Sequence, residues 1–128
     1  MSTHCLDTSA WVEITHNGPN AATFAKALAK AESIIVSAIT LYEIARYTNR
    51  VAGENATAEI LGFLHQYNPI PVTAHIAELA ANLGSRHKLA MADALIYATA
   101  RAHSATLWTQ DDDFNGLPHV NYHPKTKP

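Results

Sequence analysis

Ser33-Ile34-Ile35-Val36-Ser37-Ala38-Ile39-Thr40-Leu41-Tyr42-Glu43-Ile44-Ala45 changes its period halfway along. Residues 33–36 are a continuous, β-branched apolar run, as expected of a strand buried on both faces of a parallel sheet. From Thr40 to Asn49 the apolar positions Leu41, Ile44 and Ala45 share one side of a helix. The stretch predicts a strand running into a helix, the first half of a β–α crossover.

Upstream, His4-Cys5-Leu6 is a short strand candidate that ends at Asp7, and Thr8 or Ser9 can cap a helix through Trp11, Val12 and Ile14. Asn17-Gly18-Pro19-Asn20 breaks it. Residues 21–31 are alanine-rich, with Phe24 and Leu28 at i,i+4, and predict a second helix. Downstream, Gly53 separates the helix over 40–49 from one carrying Ile60, Leu61, Leu64 and Tyr67. Pro69-Ile70-Pro71-Val72 reads as a third short strand, placed near an edge by its prolines. A helix over 75–83 is expected to end at Gly84. Another follows over 93–103, then the strand Thr106-Leu107-Trp108-Thr109 and a last short strand, Val120-Asn121-Tyr122. Ala94, Ala98 and Ala102 at i,i+4 spacing let the 93–103 helix lie close to a neighbour, which makes it central.

Strands alternating with helices predict an α/β domain with a short, mostly parallel sheet of four to five strands and a helical lobe beside it. With 128 residues the chain is one domain, taken as 1–123, and the polar segment 124–128 reads as a loose tail. Hydrophobic residues make up 48% and charged ones 16%, which excludes a disordered chain. A net charge of -2 carries no bulk signal for nucleic acid, so any such binding rests on local basic patches. The single cysteine, Cys5, excludes an intrachain disulfide framework and fits a reducing cytoplasm. No signal peptide and no membrane-spanning stretch are expected.

Of eleven acidic residues, six lie in four short segments. These are Leu6-Asp7-Thr8-Ser9, Thr40-Leu41-Tyr42-Glu43, Ala92-Asp93-Ala94-Leu95-Ile96, and Thr109-Gln110-Asp111-Asp112-Asp113-Phe114. Each falls after an expected strand or at the start of an expected helix, where side chains of an open α/β sheet converge. Each also has a local explanation. Asp7 can be an N-cap. Thr40-Leu41-Tyr42-Glu43 is a literal capping box. Asp93 can serve the dipole of its helix, and Asp111-Asp112-Asp113 can be a solvated turn. Carboxylates gathered at one sheet end repel one another unless a cation lies between them, and a hard divalent ion with oxygen ligands fits such a set.

The ordered set resembles the PIN-domain ribonucleases, and within them the VapC-type toxins of bacterial toxin–antitoxin pairs. The matching stretches run from Leu6-Asp7-Thr8-Ser9 through Ser37–Ile44 and Ala92–Ala100 to Ala105–Phe114, nearly the whole chain. The resemblance implies an α/β/α sandwich and assigns Asp7, Glu43, Asp93 and Asp111 to the acidic quartet, with Asp7 and Asp93 as the principal metal ligands. Thr109 and Asp113 match supporting positions, and the acidic run leaves the fourth carboxylate open between Asp111 and Asp113. It also implies Mg²⁺ or Mn²⁺, in-line attack by water on an RNA phosphodiester, a 5′-phosphate product, a cognate antitoxin laid across the helical lobe, and a homodimer. Arg46, Arg50, Arg86 and Lys88 are the phosphate-contact candidates. A PIN-like RNA-processing nuclease without a toxin role, and a catalytically silent interaction module, fit the same residues. A phosphoacceptor receiver domain also groups acids around Mg²⁺, but its paired acids near the first strand and its lysine after the fifth are not evident.

Overall fold

A computed structural model describes residues 2–126. Strand β1 (Thr3–Leu6) is followed by α1 (Thr8–Thr15) and α2 (Ala21–Lys30), then β2 (Ser33–Ile35). Four helices follow: α3 (Ala38–Ala52), α4 (Glu54–His65), α5 (Ala74–His87) and α6 (Met91–Ala102). The chain closes with β3 (Thr106–Thr109), a 3₁₀ turn (Asp112–Phe114) and β4 (Val120–Tyr122). The four strands form one sheet in the order β2-β1-β3-β4, every pairing parallel.

Side-chain alternation decides what covers each face of that sheet. Cys5 and Leu107 point to one face and pack with Ile96, Tyr97 and Ala100 of α6 and with Phe114. Leu6 points to the other and packs with Trp11, Phe24, Val36, Ile44 and Leu64. Cys5 and Leu6 are both fully buried, so the sheet is covered on both sides, as an α/β/α sandwich requires. A third cluster, Ile76, Ala80, Ala94 and Ala98, joins α5 to α6. Of the three small residues expected to make α6 central, Ala94 and Ala98 do so while Ala102, in the last turn, is exposed, and Gly84 serves the same contact. A Cβ there would sit 3.2 Å from the Ala94 Cβ. Gly84 therefore lies within α5, which continues to His87 and ends at Lys88 in the left-handed region (φ 58°).

Two further expectations are corrected. Residues 69–72 form no strand. Their prolines leave too few backbone donors for a ladder, and only an isolated bridge between Ser37 and Ile70 forms, with Ile70 N–H donating to Val36 O at 2.8 Å. Helix α3 begins at Ala38, because Ser37 is its cap and its hydroxyl accepts from Ile39 N–H at 3.1 Å. Thr40 is thus already inside the helix, and the capping box expected at Thr40–Glu43 is not one. No helix of the described residues is long and apolar enough to cross a membrane.

Candidate active site

Asp7 follows β1 directly and is the N-cap of α1. Its Oδ1 accepts from Ala10 N–H at 3.0 Å and from the Ser9 hydroxyl at 2.7 Å. Its Oδ2 accepts from the Thr109 hydroxyl at 2.5 Å. The capping role and the place at the sheet end therefore coexist in one side chain. Burial pushes its carboxyl up from 3.8 to about 6, against the pull of these hydrogen bonds, with a smaller push from the Asp111 charge.

Strand β3, paired to β1 with Leu6 opposite Trp108, delivers the next group. Thr109 is fully buried; its oxygen also accepts from Asp111 N–H at 2.9 Å. Asp111 Oδ1 in turn accepts from Asp113 N–H at 2.9 Å, which starts the 3₁₀ turn. Asp112 points elsewhere and accepts from the Tyr122 hydroxyl at 3.3 Å.

Asp93 sits in the first turn of α6. Burial, and then the charges of Asp111, Glu43, Asp7 and Asp113, push its carboxyl up to about 7. Every charge acting on it is another carboxylate, which places all five acids at one end of the sheet. Asp93, Asp111 and Asp113 each offer a carboxylate oxygen within 4.8 Å of the others. Asp7 lies outside that trio, beside it. Glu43, in the second turn of α3, accepts from the Thr8 hydroxyl at 2.7 Å, and Thr8 also reaches Thr40 at 3.4 Å. The donor set is hard oxygen without a thiolate or imidazole, which suits Mg²⁺ or Mn²⁺.

Of the four basic candidates, two contact tyrosines and two are exposed. Arg46 donates to the Tyr42 hydroxyl at 3.0 Å and lies over that ring. Arg50 lies over the Tyr47 ring. Arg86 and Lys88 are exposed at the end of α5. None of the four is among the charges that shift Asp7 or Asp93. Sequence reasoning used Thr8 and Ser9 only as caps and missed them as hydroxyl donors that orient Glu43 and Asp7. Their position directly after Asp7, in a chain where that aspartate ends a strand, was the available signal. Gln110, buried between Ser9 and Asn20, left no signal in the sequence.

This fold and this arrangement of acids define a PIN domain. The chain belongs to the PIN-domain family, whose model matches residues 4–120. It is similar to a chain of a toxin–antitoxin complex from Klebsiella pneumoniae, at 28% identity and TM-score 0.78, over 92% of this chain and 95% of that one. It shares its fold with a chain of VapBC2 from Rickettsia felis bound to a promoter DNA fragment (20% identity, TM-score 0.74, covering 97% and 99%). The same holds for VapC20 from Mycobacterium tuberculosis, a toxin that cleaves the sarcin–ricin loop (22% identity, TM-score 0.73, covering 91% and 95%). No curated protein sequence matches the chain.

Proposed function

We propose that this chain is the toxin of a toxin–antitoxin pair and acts in the cytoplasm as an endoribonuclease dependent on Mg²⁺ or Mn²⁺. The observation that carries the reading is the convergence of the Asp93, Asp111 and Asp113 carboxylates within 4.8 Å, with Asp7 and Glu43 alongside. Burial, and secondarily the charge of neighbouring carboxylates, raises the proton affinity of Asp7 and Asp93, and a cation among them would offset both costs. Asp7 and Asp93, with Asp111 and Asp113, are the residues that would hold the cation. When bound, such an ion activates a water and offsets charge on the phosphoryl group. The chain supplies orientation. Thr109 and Ser9 fix Asp7, and Thr8 holds Glu43 facing the cluster, where its carboxylate can accept a proton from an attacking water.

The partner reading rests on the helical lobe. Helices α1, α3 and α4 enclose a groove of about 520 Å³ lined by Thr15, Tyr47, Val51, Ile60 and Phe63. Val51 is 53% and Phe63 40% exposed, more apolar surface than water favours. An antitoxin segment crossing the lobe would cover it, as the likeness to a toxin–antitoxin complex suggests. A homodimer is part of the same reading.

The test is cleavage of total cellular RNA by the purified chain, mapped at nucleotide resolution, with and without EDTA, against Asp93→Asn. Cleavage leaving 5′-phosphates that stops with EDTA and with Asp93→Asn is expected. Cleavage that persists through exhaustive EDTA treatment overturns the reading.

A further inference from the structure

Asn20 stands at the N-cap of α2, where asparagine is among the best capping residues, yet its side chain makes no cap hydrogen bond. Its amide group donates instead to Gln110 Oε1 at 2.8 Å and to Pro124 O at 2.9 Å. The Pro124 carbonyl can only accept, so the –NH₂ end of Asn20 must face it. Gln110 is buried and is itself fixed to the site: its N–H donates to the Ser9 hydroxyl at 3.0 Å, and that hydroxyl holds Asp7. One residue earlier the backbone is tied as well, His123 N–H donating to Thr109 O at 2.9 Å. Residues 123 and 124 are thus fastened to the elements that carry Asp7 and Asp111.

The consequence is the position of Lys125. A recess of about 440 Å³ beside the acidic cluster is lined by Ser9, Gln110, Asp111, Asp112 and Tyr122, with Lys125 as its sole cation. Lys125 also lines the adjoining recess over Val12 and Glu13. The four basic residues singled out from the sequence line neither. A polyanion approaching this cluster needs a positive charge at its rim.

We infer that Lys125, held in place by Asn20 through Pro124, is a substrate-contact residue that binds an RNA phosphate next to the one being cleaved. The inference rests on the ribonuclease reading above and names part of its substrate site. Asn20 is a positioning residue in it.

The test is binding of a short fluorescent single-stranded RNA, followed by anisotropy across a salt series, in the Asp93→Asn background with Mg²⁺ present. Lys125→Ala should weaken binding about 3- to 10-fold and lower the salt slope by roughly 0.7, one phosphate contact on a single strand. Lys125→Arg should keep both. Asn20→Ala should weaken binding as well, with no charge removed, because the lysine is no longer held. Lys30→Ala, on α2 away from these recesses, should leave binding unchanged. Parent affinity and slope in both Lys125→Ala and Asn20→Ala overturn the inference, and so does an equal loss in Lys30→Ala, which would be bulk charge. Failure of the ribonuclease reading looks different: the parent chain then neither binds nor cleaves RNA.

Discussion

The Thr109 hydroxyl donates to Asp7 Oδ2 at 2.5 Å, and both residues are buried. The same hydroxyl oxygen accepts the Asp111 N–H, so one threonine couples a carboxylate after β1 to a carboxylate after β3. Thr109→Val keeps the shape and removes both functions. A buried carboxylate loses a donor and a backbone N–H loses its acceptor, so the variant should lose about 1–3 kcal/mol of stability and most of its cleavage. Thr109→Ser should recover both. Denaturant unfolding and RNA cleavage check this, and a Val variant equal to the parent in each would remove Thr109 from the site.

The proton affinities of Asp7 and Asp93 set a direction for stability against pH. Both carboxyls are raised in the folded chain, to about 6 and about 7, from an ordinary 3.8. Between pH 4 and 7 the folded state therefore binds more protons than the unfolded state. Stability without metal is highest toward pH 4 as far as these groups are concerned, and falls as pH rises through 6 and 7. Asp93→Asn should flatten that fall. Melting midpoints in EDTA from pH 5 to 8 measure it. Cleavage should run the other way and rise over the same interval, since cation binding needs the carboxylates ionised.

A cation that binds only the folded chain reverses the metal-free trend. At about 100 times its dissociation constant, Mg²⁺ or Mn²⁺ should add about 2.7 kcal/mol. The gain should disappear with EDTA and shrink in Asp93→Asn. Mn²⁺ is expected to act at lower concentration than Mg²⁺, following the usual order of affinities at oxygen sites. Titrated melting curves report this without reference to RNA, and a midpoint indifferent to either ion at pH 7.5 would contradict the cation site.

Glu43→Gln separates catalysis from helix stability. Ser37 caps α3, so Glu43 has no capping duty to lose, and a glutamine oxygen still accepts from Thr8. Stability should stay within about 0.5 kcal/mol, as for substitutions that break no buried interaction. Cleavage should fall roughly 10- to 100-fold, the usual loss when a group beside a metal site is altered. Normal turnover in this variant would exclude Glu43 from the reaction.

The legible parts of this fold were those decided within a few residues. The apolar run 33–36 and the small residues of α6 carry their own period or size signature; the run forms β2 over Ser33–Ile35, at the sheet edge rather than buried on both faces, and Ala94 and Ala98 bring α6 against α5. The acids were legible because Asp7 and Asp111 follow strands and Glu43 and Asp93 lie near helix starts, and such positions converge at one end of a parallel sheet. Residues 69–72 misled because an apolar run flanked by prolines looks the same whether or not a neighbour pairs with it. The Thr40–Glu43 box misled because Ser37, three residues earlier, takes the cap first, and local pattern does not rank two competing caps. The polar segment 124–128 reads as a loose tail because its own sequence offers no period or cap; the bond from Asn20 to the Pro124 carbonyl comes from 104 positions away, and Lys127 and Pro128 lie outside the described residues.

Strands β1 and β3 are neighbours in the sheet, yet Asp7 and Thr109 are 102 positions apart. Contacts of such separation form only after the intervening chain exists and has begun to fold. On the ribosome, Asp7 emerges early and waits, uncoupled from Thr109, Asp111 and Asp113, through the synthesis of six helices. A translation product that stops short of β3 carries Asp7, Glu43 and Asp93 but lacks Thr109, Asp111 and Asp113, so the acidic cluster is incomplete. The cluster therefore closes late in synthesis, at a point set by which strands are neighbours in the sheet rather than by their order in the chain.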